Sequence, residues 1–229
     1  MKRTAIFAAT LFLAVILVLP ACSDEEEPSA GQTPVIEVDS EGNTSIDKSQ
    51  LEAEVEALNP GQLSTEEVDG LLFMREEEKL ARDVYQVLGT NSTQPIFGNI
   101  ARSEETHMEA VRVLLDQYEI KDPALAAGKF VNRDLQALYD RLIGQGSVNQ
   151  IEALKVGAAI EEIDLIDLEI RIAQTDEAAI KLVYENLEKG SRNHLRSFVS
   201  SLDRLGVTYA PIALTQAAYD AVVSSAMER

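Results

Sequence analysis

The chain has 229 residues, of which 39 are acidic and 20 basic, so its formal net charge is −19 at pH 7. A strongly anionic protein is repelled by nucleic acids and by anionic lipid surfaces, which argues against DNA or RNA binding as its function. Its one cysteine excludes an intrachain disulfide.

The N-terminus has the pattern of a secretory signal. Residues 1–3 include two basic side chains, and residues 5–19 form an apolar run that is too short for a stable membrane span. Residues 19–22, Leu-Pro-Ala-Cys, resemble a bacterial lipobox, although proline is less usual at the second position. We therefore predict that residues 1–21 are a lipoprotein signal peptide and that Cys22 is lipid-modified. An ordinary signal peptide followed by an incidental cysteine is the alternative.

Residues 22–63 are predicted to form an acidic disordered tether. They are rich in acidic residues, dotted with Pro, Gly and Ser, and free of aromatic residues, a composition that stays solvated. One or two helical turns at residues 51–58 are the only regular structure expected there. The tether would hold a globular domain away from a membrane, so we expect an exported, membrane-anchored lipoprotein facing the periplasm or the cell exterior. The remaining residues, about 165, suit a single domain.

Long helical patterns dominate the rest of the chain, and strand signals are nearly absent. Ser64, followed by acidic residues, is typical of a helix N-cap. Helices are predicted at residues 65–88, 96–118, 132–143, 149–173, 175–205 and 214–227. We therefore predict an all-α fold, a four-helix bundle over residues 64–206 with a helical connection between its second and third long helices. Residues 207–229 are predicted to be a tail that carries a short C-terminal helix and packs on the bundle.

Each of the four long helices has polar side chains in the apolar stripe that would face the core. These polar residues are Glu78 in the first helix, Glu104 and His107 in the second, Glu161 and Asp164 in the third, and Ser191 and His194 in the fourth. No lysine or arginine lies in these stripes, so buried carboxylates there would repel one another and lose their hydration without compensation. A bound metal ion removes that problem, and carboxylate plus imidazole suits iron, manganese or zinc.

These motifs resemble the ferritin-like superfamily of rubrerythrin-type di-iron carboxylate bundles, which use one Glu from each of two helices and a Glu-x-x-His pair from each of the other two. The motifs are closer still to an exported bacterial ferritin-like family of unknown function. The segments that carry the resemblance are 75–85 (REEEKLARDVY), 103–108 (SEETHM), 157–164 (GAAIEEID) and 190–195 (GSRNHL). The resemblance covers residues 67–219.

The resemblance implies a ferritin-like bundle with an iron centre, mononuclear or dinuclear, in which manganese or zinc could replace iron. The implied ligands are Glu78, Glu104, His107, Glu161 and His194, with Asp164 as an auxiliary ligand. It also implies a non-haem iron oxidoreductase that oxidises iron or reduces peroxide or dioxygen. Ser191 departs from the superfamily, because the fourth helix should supply a carboxylate there, and this leaves the number of metal ions open. Asp164, or a water held by Ser191, could fill the gap.

Some residue assignments have alternatives. Glu77 could replace Glu78, because it also lies on an apolar stripe of its helix. Glu188 is a further possible donor in the fourth helix and ranks lower, because it lies about 120° around the helix from the histidine. Glu105 and Glu162 are predicted to be solvated residues on the outer faces of their helices.

The whole assignment also has an alternative from a different functional class. A metal-free or degenerate bundle could act as a structural or interaction module at the cell envelope, and the metal content of the protein separates the two. A cage-forming iron store is disfavoured, because a lipid anchor and a long tether fit poorly with a closed shell. The sequence is compatible with a homodimer and identifies no protein partner.

Overall fold

The computed structural model describes residues 35–228 apart from 40, 60, 91 and 93, so the predicted signal peptide and Cys22 lie outside the described residues. The elements found there are β1 (Ile36–Val38), β2 (Thr44–Ile46), α1 (Lys48–Ala57), α2 (Thr65–Gly89), α3 (Ile96–Gln117), α4 (Arg133–Gly146), α5 (Gln150–Gln174), α6 (Ala178–Arg204) and α7 (Gln216–Ser224). Among these helices, none is both long enough and apolar enough to cross a membrane.

The four long helices α2, α3, α5 and α6 form a bundle, which confirms the predicted all-α class. Helix α2 packs along α3 and α5 packs along α6, and the two pairs meet through contacts of α2 with α5 and of α3 with α6. Helix α4 lies in the connection between α3 and α5 and packs against α2 and α5. The start of α2 is fixed by a capping box, in which the Ser64 hydroxyl accepts from the Glu67 N–H and the Glu67 carboxylate accepts from the Ser64 N–H.

Two apolar clusters fill the bundle, and buried polar residues separate them along the helices. In α2, Leu71 and Met74 belong to one cluster and Leu80 belongs to the other, with Glu78 between them. Helices α3 and α6 show the same succession of apolar, polar and apolar residues. The polar side chains therefore meet in one layer near the middle of the bundle, with apolar packing on both sides.

Residues 35–59 differ from the disordered tether expected of residues 22–63. Strands β1 and β2 pair antiparallel with Ile36 opposite Ile46, and α1 follows where helical turns were expected. The buried apolar side chains of this segment are Val35, Ile36, Ile46, Leu51 and Val55, and they join the cluster that contains residues of α3 and α6. The burial of these few apolar side chains against the bundle outweighs the acidic composition of the rest of the segment.

The tail after α6 is anchored by Glu162 of α5. The Glu162 carboxylate accepts hydrogen bonds from the Tyr209 hydroxyl at 2.6 Å and from the backbone N–H groups of Ala213 at 2.7 Å and Leu214 at 2.8 Å. The prediction that Glu162 is solvated is wrong, because the tail covers it completely. Glu105, for which the same was predicted, is exposed and pairs with an arginine at the bundle surface.

Candidate metal centre

The bundle brings all six predicted metal ligands into its polar middle layer. Glu78 comes from α2, Glu104 and His107 from α3, Glu161 and Asp164 from α5, and His194 from α6, and all six are buried. Each lies on the inner face of its helix because the apolar residues one turn before and after it are drawn into the core. The apolar stripes therefore set the rotation of each helix and, with it, the direction of these polar side chains.

Glu104 lies at the centre of the group. Its Oε2 atom is 2.9 Å from His107 Nδ1, and its Oε1 atom is 3.0 Å from His194 Nδ1. One ligand atom from each of these three residues lies within 4.8 Å of the other two. A buried Glu/His/His group of this size could hold a metal ion.

Two further carboxylates flank the histidines. Glu78 Oε2 is 3.3 Å from His107 Nδ1, and Glu161 Oε2 is 3.6 Å from His194 Nδ1. Each imidazole therefore faces Glu104 and one carboxylate from the helix that packs along its own. This produces two similar half-sites that share Glu104.

The short distances in the centre are not accompanied by a complete set of hydrogen bonds. The buried atoms that lack a hydrogen-bond partner include Glu78 Oε1, Glu104 Oε1, His107 Nδ1, Asp164 Oδ1 and His194 Nδ1. Buried polar atoms are normally paired, and leaving several unpaired at one place is costly. A cation that these atoms share would satisfy them together.

Asp164 is close to this group but is engaged differently. The single hydroxyl proton of Ser191 is shared between one Asp164 carboxylate oxygen and the backbone carbonyl oxygen of Leu187, which lies 3.1 Å from Ser191 Oγ. Ser191 therefore holds Asp164 through its hydroxyl. Glu188, the lower-ranked alternative, forms an ion pair with Arg192 at 2.7 Å and does not join the centre.

Burial and mutual repulsion control the protonation of the carboxylates. Burial raises the pKa of Glu78 to about 7, even though His107 opposes the change. Burial, followed by repulsion from Glu104, also raises the pKa of Glu161. Burial raises the pKa of Asp164 well above its usual range, with the repulsion of neighbouring carboxylates adding to it. A metal-free centre therefore retains protons that a bound cation would displace.

The histidines show the opposite balance. Burial would lower the pKa of His107, but the adjacent Glu104 and Glu78 outweigh it and raise the pKa to about 10. Burial would likewise lower the pKa of His194, but Glu104 and Glu161 outweigh it and raise the pKa to about 9. Burial would raise the pKa of Glu104, but the two histidines outweigh it and lower the pKa. In the metal-free protein, positive charge on the imidazoles takes the place that a metal cation would fill.

Tyr85 supports one side of the centre. Its hydroxyl donates to Glu161 Oε1 at 2.5 Å, and burial, followed by the charge of Glu161, raises the pKa of this phenol well above its usual range. The Tyr85 ring packs against Phe198 with 5.2 Å between ring centroids. Tyr85 thus has both a core contact and a polar contact, with its hydroxyl one hydrogen bond from the candidate ligand Glu161.

The direction of the side chain distinguishes Glu78 from Glu77 as the candidate ligand. Both are buried, but Glu78 is the one that lies beside His107. Both Glu77 carboxylate oxygens lack hydrogen-bond partners, and burial, followed by repulsion from Asp167, raises the pKa of Glu77 well above its usual range. Glu77 therefore adds to the acidity of the layer without facing either imidazole.

Two residues of the centre were not among the predicted site residues. Thr44 of β2 places its Oγ1 atom 2.9 Å from His107 Nε2 and 3.1 Å from His194 Nε2. No local signal in the sequence connects Thr44 to residues so far along the chain. Gly190 makes room for one imidazole, since a Cβ atom there would lie 2.5 Å from His107 Cε1. Gly190 does begin one of the recognised motifs, so its position beside the site could have been suspected.

Comparison with known proteins places this chain in a family. Residues 67–226 match the domain described as "Uncharacterized protein domain (DUF2202)". The chain belongs to the DUF2202 family. The uncharacterized protein MJ0754 of Methanocaldococcus jannaschii is 49% identical to this DUF2202 protein over 169 residues, covering 73% of this chain and 91% of that protein.

A solved structure supports the same relationship. The crystal structure of the hypothetical protein MJ0754 from Methanococcus jannaschii DSM 2661 matches with a TM-score of 0.72 and 48% identity, covering 73% of this chain and 97% of that chain. The name of MJ0754 states no activity. The function therefore has to be argued from the chemistry of the site.

Proposed function

We propose that this DUF2202 protein binds a non-haem metal centre, with iron as the favoured metal, in a ferritin-like arrangement of its four long helices. The observation that carries the proposal is the convergence of Glu104, His107 and His194 with ligand atoms within 4.8 Å of one another. The Nδ1 atoms of both histidines are buried and make no hydrogen bond, which strengthens the proposal. Glu78 and Glu161 complete the proposed ligand set, and Asp164, held by Ser191, is an auxiliary ligand.

The donor set limits the metals that fit. Two imidazole nitrogens with several carboxylate oxygens suit iron, manganese and zinc, whereas calcium and magnesium prefer all-oxygen sites. The two oxygens of Glu104 face different histidines, as expected of a carboxylate shared by two ions. Position 191 holds serine where a second shared carboxylate was expected, so the number of ions bound per chain is the quantity to measure.

The protein residues would prepare this centre in three ways. Apolar clusters on both sides keep water away and strengthen every electrostatic interaction within the layer. Tyr85 orients Glu161 through its hydroxyl, and the imidazoles lose their Nδ1 protons as metal binds. Bound iron would supply redox chemistry toward dioxygen or peroxide. We therefore propose iron oxidation, or reduction of peroxide or dioxygen, as the reaction.

Metal content tests the proposal. Protein purified without a histidine tag should contain iron or manganese in near-stoichiometric amount, measured by elemental mass spectrometry. The double variant Glu104→Ala/His107→Ala should lose it, because two of the three central ligands are gone. Glu105→Ala is the matched control, since Glu105 is the neighbour of Glu104 but exposed and should leave metal content unchanged.

The opposite result would favour the metal-free envelope module. That result is wild-type protein purified without metal whose thermal midpoint does not move when ferrous iron is added under anaerobic conditions. Should the double variant fail to fold, Glu104→Gln keeps the size of the side chain while removing its charge. Metal retained at the wild-type level in Glu104→Gln would equally contradict a centre built on Glu104.

We also propose that Cys22 is lipid-modified and anchors the protein at a membrane facing the periplasm or the cell exterior. The support is the basic, apolar and lipobox-like pattern of residues 1–22. Radiolabelled palmitate should be incorporated into the wild-type chain and not into Cys22→Ser. Equal recovery of both proteins in the soluble fraction would contradict the anchor.

A further inference from the structure

The β1–β2 hairpin reaches the metal centre although it precedes the matched family region, residues 67–226. Thr44 in β2 of this hairpin is buried, with only 4% exposure. The chain separation between Thr44 and His107 is 63 residues, and that between Thr44 and His194 is 150 residues. An N-terminal threonine therefore meets both histidines of the chain.

The geometry at Thr44 suits one hydroxyl shared by two imidazoles. The Oγ1 atom lies 2.9 Å from His107 Nε2 and 3.1 Å from His194 Nε2. A hydroxyl oxygen has two lone pairs, so it can accept from both Nε2–H groups at once. The two rings lie almost parallel, 21° apart with 5.4 Å between centroids, which presents both Nε2 atoms to the same oxygen.

Hydrogen bonding at Nε2 decides what Nδ1 can do. A neutral imidazole carries one proton, and a histidine that donates from Nε2 has a bare lone pair on Nδ1. Both Nδ1 atoms point at the carboxylates of the centre, where a metal would be held. A Thr44 hydroxyl that accepts from both rings favours the tautomer in which both histidines can act as ligands.

The position of Thr44 is fixed by the helices that carry the two histidines. On the α3 side, the Thr44 N–H donates to Ser103 Oγ at 2.9 Å and the Ile46 N–H donates to Thr106 Oγ1 at 3.2 Å. On the α6 side, Ser197 Oγ donates to the Glu41 carbonyl oxygen at 2.7 Å. The hairpin is thus attached to both helices through its own backbone.

The turn of the hairpin allows this close approach. Gly42 adopts a φ of +84°, and a Cβ atom there would lie 2.5 Å from Ser197 Oγ. Only glycine adopts this left-handed conformation without strain and leaves room for the helix. The local sequence thereby lets the hairpin settle against α6, which brings Thr44 over the histidines.

We infer that the N-terminal hairpin is part of the metal centre and that Thr44 is a positioning residue which holds both histidines in their metal-binding tautomer. Docking of the hairpin then controls how tightly the centre retains its metal. This inference rests on the proposed function, because it concerns the affinity of the centre for a metal ion.

Zinc, which is diamagnetic, is the probe for the test. Zinc affinity is measured by competition with a chromophoric chelator, using the untagged chain from Cys22 onward with Cys22→Ser. Thr44→Val removes the hydroxyl and keeps the side-chain shape, and it should weaken zinc binding about 10- to 100-fold. Thr44→Ser should restore affinity close to wild type because it restores the acceptor. Ser45→Ala, at the exposed neighbouring position of the same strand, should have no effect.

A spectroscopic measurement separates positioning from general stability. The chain has only two histidines, so nitrogen-15 signals of labelled imidazoles come from this site alone. In zinc-loaded wild type, both Nε2 atoms should carry a slowly exchanging proton and both Nδ1 atoms should bind zinc. In Thr44→Val, these protons should exchange faster while circular dichroism shows an intact bundle. Thr44→Ala is used in the same way if the valine variant does not fold.

The outcomes are distinct. Wild-type protein that binds no zinc, iron or manganese overturns the proposed function and this inference with it. Wild-type protein that binds zinc, with Thr44→Val retaining the same affinity and the same Nε2–H exchange, overturns only the role of Thr44. Loss of affinity that serine does not restore also overturns it, because the hydroxyl would then not be the group responsible.

Discussion

At the residue scale, burial alone does not distinguish a candidate metal ligand from a structural carboxylate. Glu76 is buried, but its carboxylate accepts from the backbone N–H groups of Val131 at 2.6 Å and Asn132 at 2.9 Å. Glu104 is equally buried, yet one of its oxygens has no hydrogen-bond partner. Hydrogen bonds from N–H donors make Glu76 a structural anchor. The unsatisfied oxygen of Glu104, together with the two imidazoles beside it, marks Glu104 as a candidate ligand.

Gly190→Ala tests the close packing of α6 against His107. The added methyl group would lie 2.5 Å from His107 Cε1, so the ring must move away from Glu104. We expect a destabilisation of about 1–3 kcal/mol from overpacking, together with loss of metal binding. Urea unfolding of the metal-free protein and elemental analysis after metal loading measure the two effects separately.

Gly144→Ala is the matched control for this helix substitution. Gly144 lies in α4, and nothing lies within 4 Å of a Cβ atom built there. The control should increase stability by up to about 1 kcal/mol through helix propensity and leave metal binding unchanged. Similar behaviour of the two variants would show that space around His107 is not limiting.

At the scale of the elements, the tail holds to the bundle through polar anchors on α5 and α6. The Glu162 carboxylate accepts hydrogen bonds from backbone N–H groups of the tail just before α7. The buried Arg196 donates from Nε to the carbonyl oxygen of Val222 in the last turn of α7 at 2.9 Å, and it pairs with Glu228 beyond α7 at 2.7 Å. Apolar contact adds to these bonds through Tyr219, which is buried in the apolar cluster that contains Leu80. Few apolar residues are therefore enough to fasten this short helix.

Glu162→Gln should release the tail. Glutamine keeps the size of the side chain. Its NH₂ group cannot accept the hydrogen bonds that the tail N–H groups donate to the carboxylate. We expect a loss of about 2 kcal/mol in the free energy of unfolding and faster cleavage of the tail by protease. Glu105→Gln, at an exposed ion pair, should change stability by less than about 1 kcal/mol. Equal protease resistance of both variants would argue against the anchor.

The ion pairs of Glu228 predict a pH dependence. Burial would raise the pKa of Glu228, but hydrogen bonds from Arg192 and Arg196 hold it below its usual range. A depressed carboxyl pKa stabilises the folded state above the unfolded pKa, and this contribution disappears as pH falls through the folded pKa. Wild type should therefore exceed Glu228→Gln in stability at about pH 7 and lose that advantage below about pH 4. A stability difference in urea that stays constant over this range would refute the linkage.

At the scale of the whole molecule, the bundle is divided by a polar layer that the apolar clusters cannot stabilise. The layer carries several carboxylates from α2, α3 and α5 and two histidines from α3 and α6. Without a metal, burial and like-charge repulsion raise the pKa values of Glu78, Glu161 and Asp164. Metal bound there would link all four long helices, so metal binding and the stability of the whole bundle should be coupled.

Removal of the proposed metal should therefore destabilise the entire domain. Free metal at a hundredfold excess over its Kd stabilises the folded protein by about 2.7 kcal/mol, and chelation should remove this contribution. For a domain of this size, the thermal midpoint should fall by about 5–10 °C. Differential scanning calorimetry with and without chelator measures the shift. Glu104→Ala/His107→Ala should show no shift, and a shift of wild-type size in that variant would place the metal elsewhere.

Local features of the sequence predicted the helices well. The predicted helix over residues 65–88 is observed as Thr65–Gly89, and the one over 149–173 as Gln150–Gln174. These bounds depend on the spacing of apolar residues and on N-cap side chains such as Ser64, all of which lie within a few residues of one another. The same spacing turned the candidate ligands toward the core, which is why their burial could be predicted.

By itself, the sequence determined the all-α class, the long helices and the inward direction of Glu104, His107 and His194. The tertiary structure decided that Glu104 faces both histidines, that Glu162 lies beneath the tail, and that residues 35–59 fold onto the bundle. Only the tertiary structure shows that Thr44 contacts both imidazoles. Thr44 and His194 are 150 residues apart, and a contact at that separation produces no periodic pattern in the sequence. Helix formation depends on neighbours along the chain, whereas the contents of a buried site depend on how separate elements pack.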